Sequence, residues 1–327
     1  MGNDIRRIAV IGAGLMGHGI ALEFAAYGYD VALHDRDPVQ LERANGAIAE
    51  GLARLVDVGR VSERAAAAAP ARIAPGIDLR TAVAGADLIV EAVAEDLAIK
   101  QALVRDIDAW SPPHAIIASN TSTFMPSQLA GATRRPDRVL VAHYFNPPHL
   151  LPLVELVRGP ATSDATIDTM RSFYRAIGKR PAVVQREALG FVGNRLQNAL
   201  LREALAIVEA GVATPEDVDT IVKTGFGRRL AVAGPFEIAD AGGVDVWLTV
   251  AGMLFPDLAT AAAPPAFARD LLARGDLGLK TGRGFYDWTP EQAAALRERI
   301  GQGLAALARL ADGDAEDGAR KEQDRAG

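Results

Sequence analysis

The chain has no cysteine among its 327 residues. That removes disulfide staples, a thiolate nucleophile and every cysteine-ligated metal site from consideration. Also missing is any apolar run near the roughly 18 residues that a membrane-spanning helix requires, so no membrane association is expected. The 35 basic and 41 acidic side chains leave a formal charge of −6. Nowhere do Lys and Arg cluster densely enough to follow a phosphate backbone, which argues against nucleic acid as a partner. The opening residues lead straight into a strand-like "IRRIAVIG" without the pattern of a secretory leader, and a cytoplasmic location is the expectation. What remains is a long chain, 49% hydrophobic, able to bury a sizeable core and to divide into two domains.

The sharpest local signal lies in the first forty residues. An apolar strand runs into Gly12-x-Gly14-x-x-Gly17, a helix-period stretch follows to Gly28, and a second strand, "VALH", stops at Asp35. Each residue type has a reason. Gly12 permits a tight turn, Gly14 lets backbone approach a pyrophosphate, and Gly17 lets the helix sit close on the strand with its N-terminus facing the anion. Leu15 and Met16, between the second and third glycines, join them as candidate cofactor contacts. Asp35, at a strand end, suits the two hydroxyls of an adenosine ribose and repels a 2′-phosphate, so the expected cofactor is NAD.

The α/β rhythm continues through "DLIVEAVAED" (87–96), "AIIASNTS" (115–122), "RVLVAHYF" (138–145) and "LPLVELV" (151–157), with a helical stretch at 97–110. Short apolar runs of this kind are buried strands of a doubly wound, mostly parallel sheet. Glu95, Ser119 to Ser122 and His143 then fall at strand exits, on the rim where such sheets bind ligands. After "RPAVVQREALG" (180–190) the character changes. From Phe191 the apolar spacing is helical, Gly211 closes one helix, and Thr214-Pro215 opens the next. The expected organisation is an α/β domain over 1–187, an all-α domain over 188–310 and a flexible tail over 311–327. The alanine run at 65–70 is the end of a helix.

His143 and Glu155 stand at the two ends of "HYFNPPHLLPLVE". A proline-broken turn between two strands brings such a pair together, the carboxylate orienting the imidazole and stabilising its protonated form. His149, six residues further on, is the alternative base.

The segments "SNTST" (119–123), "HYFNPP" (143–148), "VELV" (154–157), "GFVGNRL" (190–196), "GPFEIAD" (234–240) and "KTGRGFY" (280–286) stand in the order and spacing of the L-3-hydroxyacyl-CoA dehydrogenase family, which the chain resembles from the glycine loop to about residue 288. The resemblance implies a Rossmann domain followed by a helical dimerisation domain, a homodimer, and NAD-dependent oxidation of a 3-hydroxy group to a ketone, in fatty acid metabolism. It implies no metal. Position by position, His143 matches the general base, Glu155 its orienting carboxylate, Ser122 the hydroxyl that bonds the reacting oxygen, and Asn194 an amide that positions the substrate. Asp35 matches the ribose acid, and Glu95, Lys100, Ser122, Asn146 and Lys280 match NAD-contacting positions. Taken alone, Lys100 reads as a solvated helix charge and Asn194 as an ordinary polar residue.

The match is uneven. In the acyl-CoA members the helix after the second strand carries a polar residue and, seven positions on, a lysine that help hold CoA; the corresponding places here are Gly51 and Val58. The stretch "GFGRRLAVAGPFE" (225–237) is more similar to the lambda-crystallin/L-gulonate 3-dehydrogenase, carnitine dehydrogenase and pyridine-alcohol dehydrogenase branch, whose members oxidise small carboxylate-bearing alcohols. Arg229 matches the arginine of the gulonate-type relatives, and a guanidinium at that place is suited to bind a substrate carboxylate bidentately. A surface or dimer-contact role is the alternative for it and for Arg228. The substrate is therefore a 3-hydroxyacyl-CoA or a small hydroxy acid, and a nucleotide-binding, crystallin-like protein is the non-catalytic rival.

Overall fold

The computed structural model describes residues 5–326, with side chains through residue 308. Two compact units emerge, Met1–Gly193 with Leu304–Gly327, and Asn194–Gly303.

The first unit alternates strands and helices. In order it contains β1 (Arg7–Ile11), α1 (Gly17–Ala26), β2 (Asp30–His34), α2 (Pro38–Asp57), α3 (Glu63–Ala68), β3 (Ile73–Gly76), α4 (Leu79–Val83), β4 (Leu88–Glu91), α5 (Leu97–Trp110), β5 (Ile116–Ser119) and α6 (Pro126–Ala130). Then come β6 (Val139–Tyr144), β7 (Leu153–Val157), α7 (Asp164–Ala176) and β8 (Arg180–Val184). The strands form one sheet in the order β3-β2-β1-β4-β5-β6-β7-β8. Every pairing is parallel except β6 with β7. The order reverses between β1 and β4, which opens the crevice of a doubly wound sheet.

Both faces of the sheet are covered, so the central strands are apolar on both sides. One face buries Val10, Leu33, Val90, Ala118, Leu140 and Leu156 under α1, α2 and α7. The other buries Ala9, Ile11, Ile89 and Ile117 under α4, α5 and α6. The helices start where short polar side chains close their free amides. Asp37 accepts from Val39 N ahead of Pro38, Asp96 from Ile99 N, and Ser163 from Thr166 N.

The second unit is helical: α8 (Gly193–Glu209), α9 (Pro215–Thr224), α10 (Pro235–Gly242), α11 (Val244–Leu254), α12 (Ala266–Arg274) and the start of α13 (Pro290–Ala326). Thr214 caps α9 through Asp217 N, and Gly211 has φ +68° just beyond α8. The expected α/β-then-α architecture is observed. The tail expected at 311–327 falls on residues whose side chains, and for Gly327 the backbone also, lie outside those described. Two strands go beyond the sequence reading, β3 and β8, and the β6–β7 pair runs antiparallel. Among the described residues no helix is long and apolar enough to cross a membrane.

Candidate active site

The glycine loop comes first along the chain. Gly12 has φ +101°, and a Cβ on it would lie 2.5 Å from the Ala92 carbonyl oxygen; a Cβ on Gly17 would overlap the Gly12 carbonyl. These two glycines are required by local geometry. Gly14 differs, since a Cβ there would meet nothing within 4 Å: its bare backbone faces open space. Leu15 is 66% exposed, and Met16 leans on the core under α1. Asp35 is held by the loop, with Oδ2 accepting from Ala13 N at 2.9 Å and Oδ1 from Asp37 N at 3.0 Å. Gly12, Gly14, Asp35, Arg36, Ala92, Val93, Ile99 and others line a cavity of about 420 Å³. A backbone-walled opening before a helix, a fixed carboxylate at its far side and apolar walls between fit the adenosine half of a dinucleotide.

Beside it, the exits of β4 and β5 are tied by a buried polar chain. Glu91 accepts from Val93 N at 2.8 Å, from Lys100 Nζ at 2.7 Å and from Ser119 Oγ at 2.5 Å. Lys100 is 1% exposed, and its Nζ also lies 3.2 Å from Glu95 Oε2. The solvated-charge reading of Lys100 is thereby corrected: the residue sits on the inward face of α5, where Glu91 meets it. One oxygen of Glu95 accepts from the Thr121 and Thr123 hydroxyls and from the amides of Ser122 and Thr123. Burial pushes the Glu95 carboxyl up, but these hydroxyls and Lys100 outweigh it and hold it below its ordinary value.

Ser122 belongs to the loop that Glu95 grips. Its Oγ lies 3.1 Å from His143 Nε2. On the antiparallel pair β6–β7, His143 is directly opposite Glu155, and Nδ1 lies 2.8 Å from Glu155 Oε2. The second carboxylate oxygen accepts from the Val192 and Gly193 amides at 3.1 and 2.9 Å. His143 is 3% and Glu155 2% exposed, with Phe145 and Phe191 against the imidazole at centroid distances of 4.8 and 5.4 Å. Gly193 must lack a side chain, since a Cβ would lie 2.5 Å from Phe145. Burial raises the Glu155 carboxyl, and His143 with the two amides more than reverses that, leaving it below its usual value. Glu155 is therefore an acceptor only. The imidazole carries its proton on Nδ1 and turns the Nε2 lone pair toward Ser122 and the cleft.

A serine, a histidine and a carboxylate in this connectivity also suit nucleophilic acyl transfer. That chemistry needs amide donors for an oxyanion. Here the amides from Asn120 to Phe124 are all engaged, with Glu91 O, Ser119 Oγ, Glu95 and Thr121 Oγ1. The array presents the buried imidazole, held at Nδ1 by Glu155, to the Ser122 hydroxyl.

The structure thus joins Ser122, His143 and Glu155, and links Glu95 and Lys100 to them through the Ser122 amide. Asn146 is exposed on the turn after β6. Asn194 opens α8, Arg229 is exposed on a 3₁₀ turn over Phe226–Ala231, and Lys280 is exposed beyond α12, all in the helical unit. His149 turns to the opposite side, packing by Gly19 and Gly51 on α1 and α2. Glu91 is an addition that no local motif announces, while Ser119 and Phe191, which lie within quoted motifs, take their contacts with Glu91 and His143 only from the fold.

Fold and site define an NAD-dependent oxidoreductase acting on a CH–OH group. The family model "3-hydroxyacyl-CoA dehydrogenase, NAD binding domain" matches residues 7–188, and "3-hydroxyacyl-CoA dehydrogenase, C-terminal domain" matches 190–288. The chain belongs to the 3-hydroxyacyl-CoA dehydrogenase family, as its motifs imply. It is 36% identical to 5-formyl-3-hydroxy-2-methylpyridine 4-carboxylate 5-dehydrogenase of Mesorhizobium japonicum, over 94% of this chain and 99% of the relative. It is 41% identical to L-carnitine dehydrogenase of Bacillus cereus over 72% and 71% of the two chains. With 3-hydroxybutyryl-CoA dehydrogenase of Bradyrhizobium diazoefficiens the identity is 36%, over 87% and 96%. Among solved structures, the pyridine-carboxylate 5-dehydrogenase, described as an NAD⁺-dependent dismutase, superposes with a TM-score of 0.89 at 36% identity, over 94% and 99% of the two chains. The (S)-3-hydroxybutyryl-CoA dehydrogenase of Ralstonia eutropha gives 0.72 at 34% identity, over 88% and 100%.

Proposed function

We propose that this enzyme oxidises the hydroxyl of a small carboxylate-bearing substrate, with His143 as the base. The observation that carries the catalytic reading is the Ser122–His143–Glu155 array, with the half-buried Ser122 beyond β5 and the buried His143 and Glu155 paired across β6 and β7. Bound NAD supplies the hydride acceptor. His143 Nε2 takes the hydroxyl proton, Glu155 stabilises the resulting imidazolium, and Ser122 Oγ holds the reacting oxygen. Asn194 and Arg229 are assigned to the substrate by their match to family positions. Gly12, Gly14, Leu15, Met16, Gly17 and Asp35 are assigned to the adenosine and pyrophosphate, and Glu95, Asn146 and Lys280 to the rest of the cofactor. Lys100, being buried, acts on the cofactor by holding Glu95.

The substrate class rests on α2. Gly51 and Val58, the places where acyl-CoA members hold CoA, are both buried. A Cβ on Gly51 would strike Leu22 of α1. That face of the helix is core rather than a landing site for a nucleotide tail. Support also comes from two relatives, one with a pyridine carboxylate in its name and one named L-carnitine dehydrogenase.

The protein works as a cytoplasmic homodimer in this reading. Support for the dimer comes from α11, where Val244, Val246, Trp247, Leu248, Val250, Met253 and Leu254 are all exposed in one chain; contiguous apolar surface of that kind marks an interface.

An NADH-fluorescence screen tests the substrate reading, with acetoacetyl-CoA set against carnitine, gulonate, small 3-hydroxy acids and hydroxymethylpyridine carboxylates. The expected result is a carboxylate-bearing substrate with kcat/KM at least equal to that of the thioester, and a KM for it raised roughly ten-fold by Arg229→Met. A far better turnover of acetoacetyl-CoA, with Arg229→Met unaffected, would place the enzyme in fatty acid metabolism instead.

A further inference from the structure

The turn from Phe145 to Pro152 carries Asn146 and joins the strands that hold His143 and Glu155. Beneath it lies a buried charge pair that the chemistry above does not use. Lys179, just before β8, is 3% exposed. Its Nζ donates to the carbonyls of Pro148 at 2.5 Å and Leu151 at 2.9 Å and lies 2.8 Å from Glu23 Oε1. Two backbone carbonyls accept from the ammonium group, and Glu23 faces it as the ion-pair partner. Glu23 belongs to α1, is fully buried, and has Arg60 Nη2 at 4.0 Å as a second cation.

The same face of α1 touches the turn again, one helical turn earlier. A Cβ on Gly19 would lie 2.6 Å from Pro148 Cγ and 3.3 Å from His149 Nδ1. A glycine is needed there because the turn rests on the helix backbone. Burying a carboxylate and an ammonium is costly even when the two are paired, and here, among the described residues, neither Glu23 oxygen gains a hydrogen bond. A chain that needed only a packed core at this place would do better with apolar side chains. What the pair achieves beyond packing is to hold two inward-facing turn carbonyls at a fixed distance from α1. The glycine loop leads directly into that helix at Gly17.

We propose that Lys179, anchored by Glu23, is a positioning residue that locks the β6–β7 turn to α1, keeping His143 and Asn146 in register with the glycine loop. The inference rests on the roles given above to His143 and Asn146. The lock itself is read without substrate or cofactor, so its failure is separable from theirs.

Amide hydrogen exchange on the full-length protein provides the test, comparing wild type with Lys179→Met and Glu23→Gln. Leu150 and Leu151 both donate to the Pro147 carbonyl and report on the turn. In Lys179→Met their exchange is expected to quicken by at least roughly ten-fold while the amides of β1 and β6 keep their wild-type rates. The His143 ring, followed by NMR through a pH titration, should change its midpoint in the same variant. Unchanged exchange at 150 and 151, equal acceleration throughout the sheet, or an unmoved His143 midpoint would each overturn the proposal. If Lys179→Met does not fold, Glu23→Gln is judged on the same amides and the same ring. Faster local exchange with a shifted midpoint supports the lock, and wild-type values refute it.

Discussion

Asp35 has no freedom to turn away from a cofactor. Both of its oxygens accept from backbone amides, so a 2′-phosphate placed there faces a fixed carboxylate. Like-charge repulsion of about 1–3 kcal/mol follows from Coulomb's law at intermediate dielectric, which corresponds to roughly ten- to a hundred-fold in kcat/KM for NADH over NADPH. A measured preference for NADPH would contradict this and point to Arg36. Glu155 yields a second expectation. Its carboxyl lies lower in the folded protein than the ordinary 4.5. The stability it contributes is therefore complete above about pH 4.5 and fades as the pH falls through the lower, folded value. Urea unfolding should accordingly show Glu155→Gln less stable than wild type near neutrality, with the gap narrowing in acid; a constant gap would contradict the account. At this scale the sequence is informative where chemistry is local. The spacing of His143 and Glu155 around three prolines already points to a strand, a turn and a strand. Glu91 and Lys100 are not legible, because their pairing exists only once β4 and α5 pack and the lysine's burial is decided by its partner.

Elements are legible where burial is complete. β1, β4, β5 and β6 are apolar on both faces and stand out as continuous runs, and α5 occupies the expected 97–110. β3 is four residues, "IAPG", with its side chains partly or fully exposed, and β8 is half exposed at the opposite edge. Edge strands bury too little to leave a pattern. The reversed direction of β7 follows from the short turn after β6, since a parallel return requires a long crossover. That turn supplies a prediction of its own. His149 packs by Gly19 and Gly51 and is pushed down to about 4, first by burial and then by Lys179, His18 and Arg54. In the unfolded chain it takes up a proton near pH 6.5. Between those two values the unfolded state binds more protons, so acidification destabilises the fold, with a ceiling of about 3 kcal/mol. His149→Leu should flatten the stability profile from pH 6.5 to 4; an unchanged slope would show that another group is responsible.

For the whole molecule, the two units differ in how far a single chain satisfies them. The α/β unit buries its large apolar side chains on both sheet faces. In the helical unit Phe236, Trp247, Leu248, Met253 and Phe255 are all at least 43% exposed. Sedimentation equilibrium is expected to give twice the chain mass, and Leu248→Glu to shift it toward the monomer with a loss of stability; a monodisperse monomer would contradict the dimer. The general architecture was the most legible level of all, because six motifs spread over both units agree in order. In the proposed reaction His143 moves the proton. The direct measurement is steady-state turnover and NADH binding of His143→Gln beside wild type, on whichever substrate the screen identifies. The expected result is a kcat lower by roughly 10²–10⁴ with NADH affinity nearly unchanged. Wild-type turnover in that variant would contradict it.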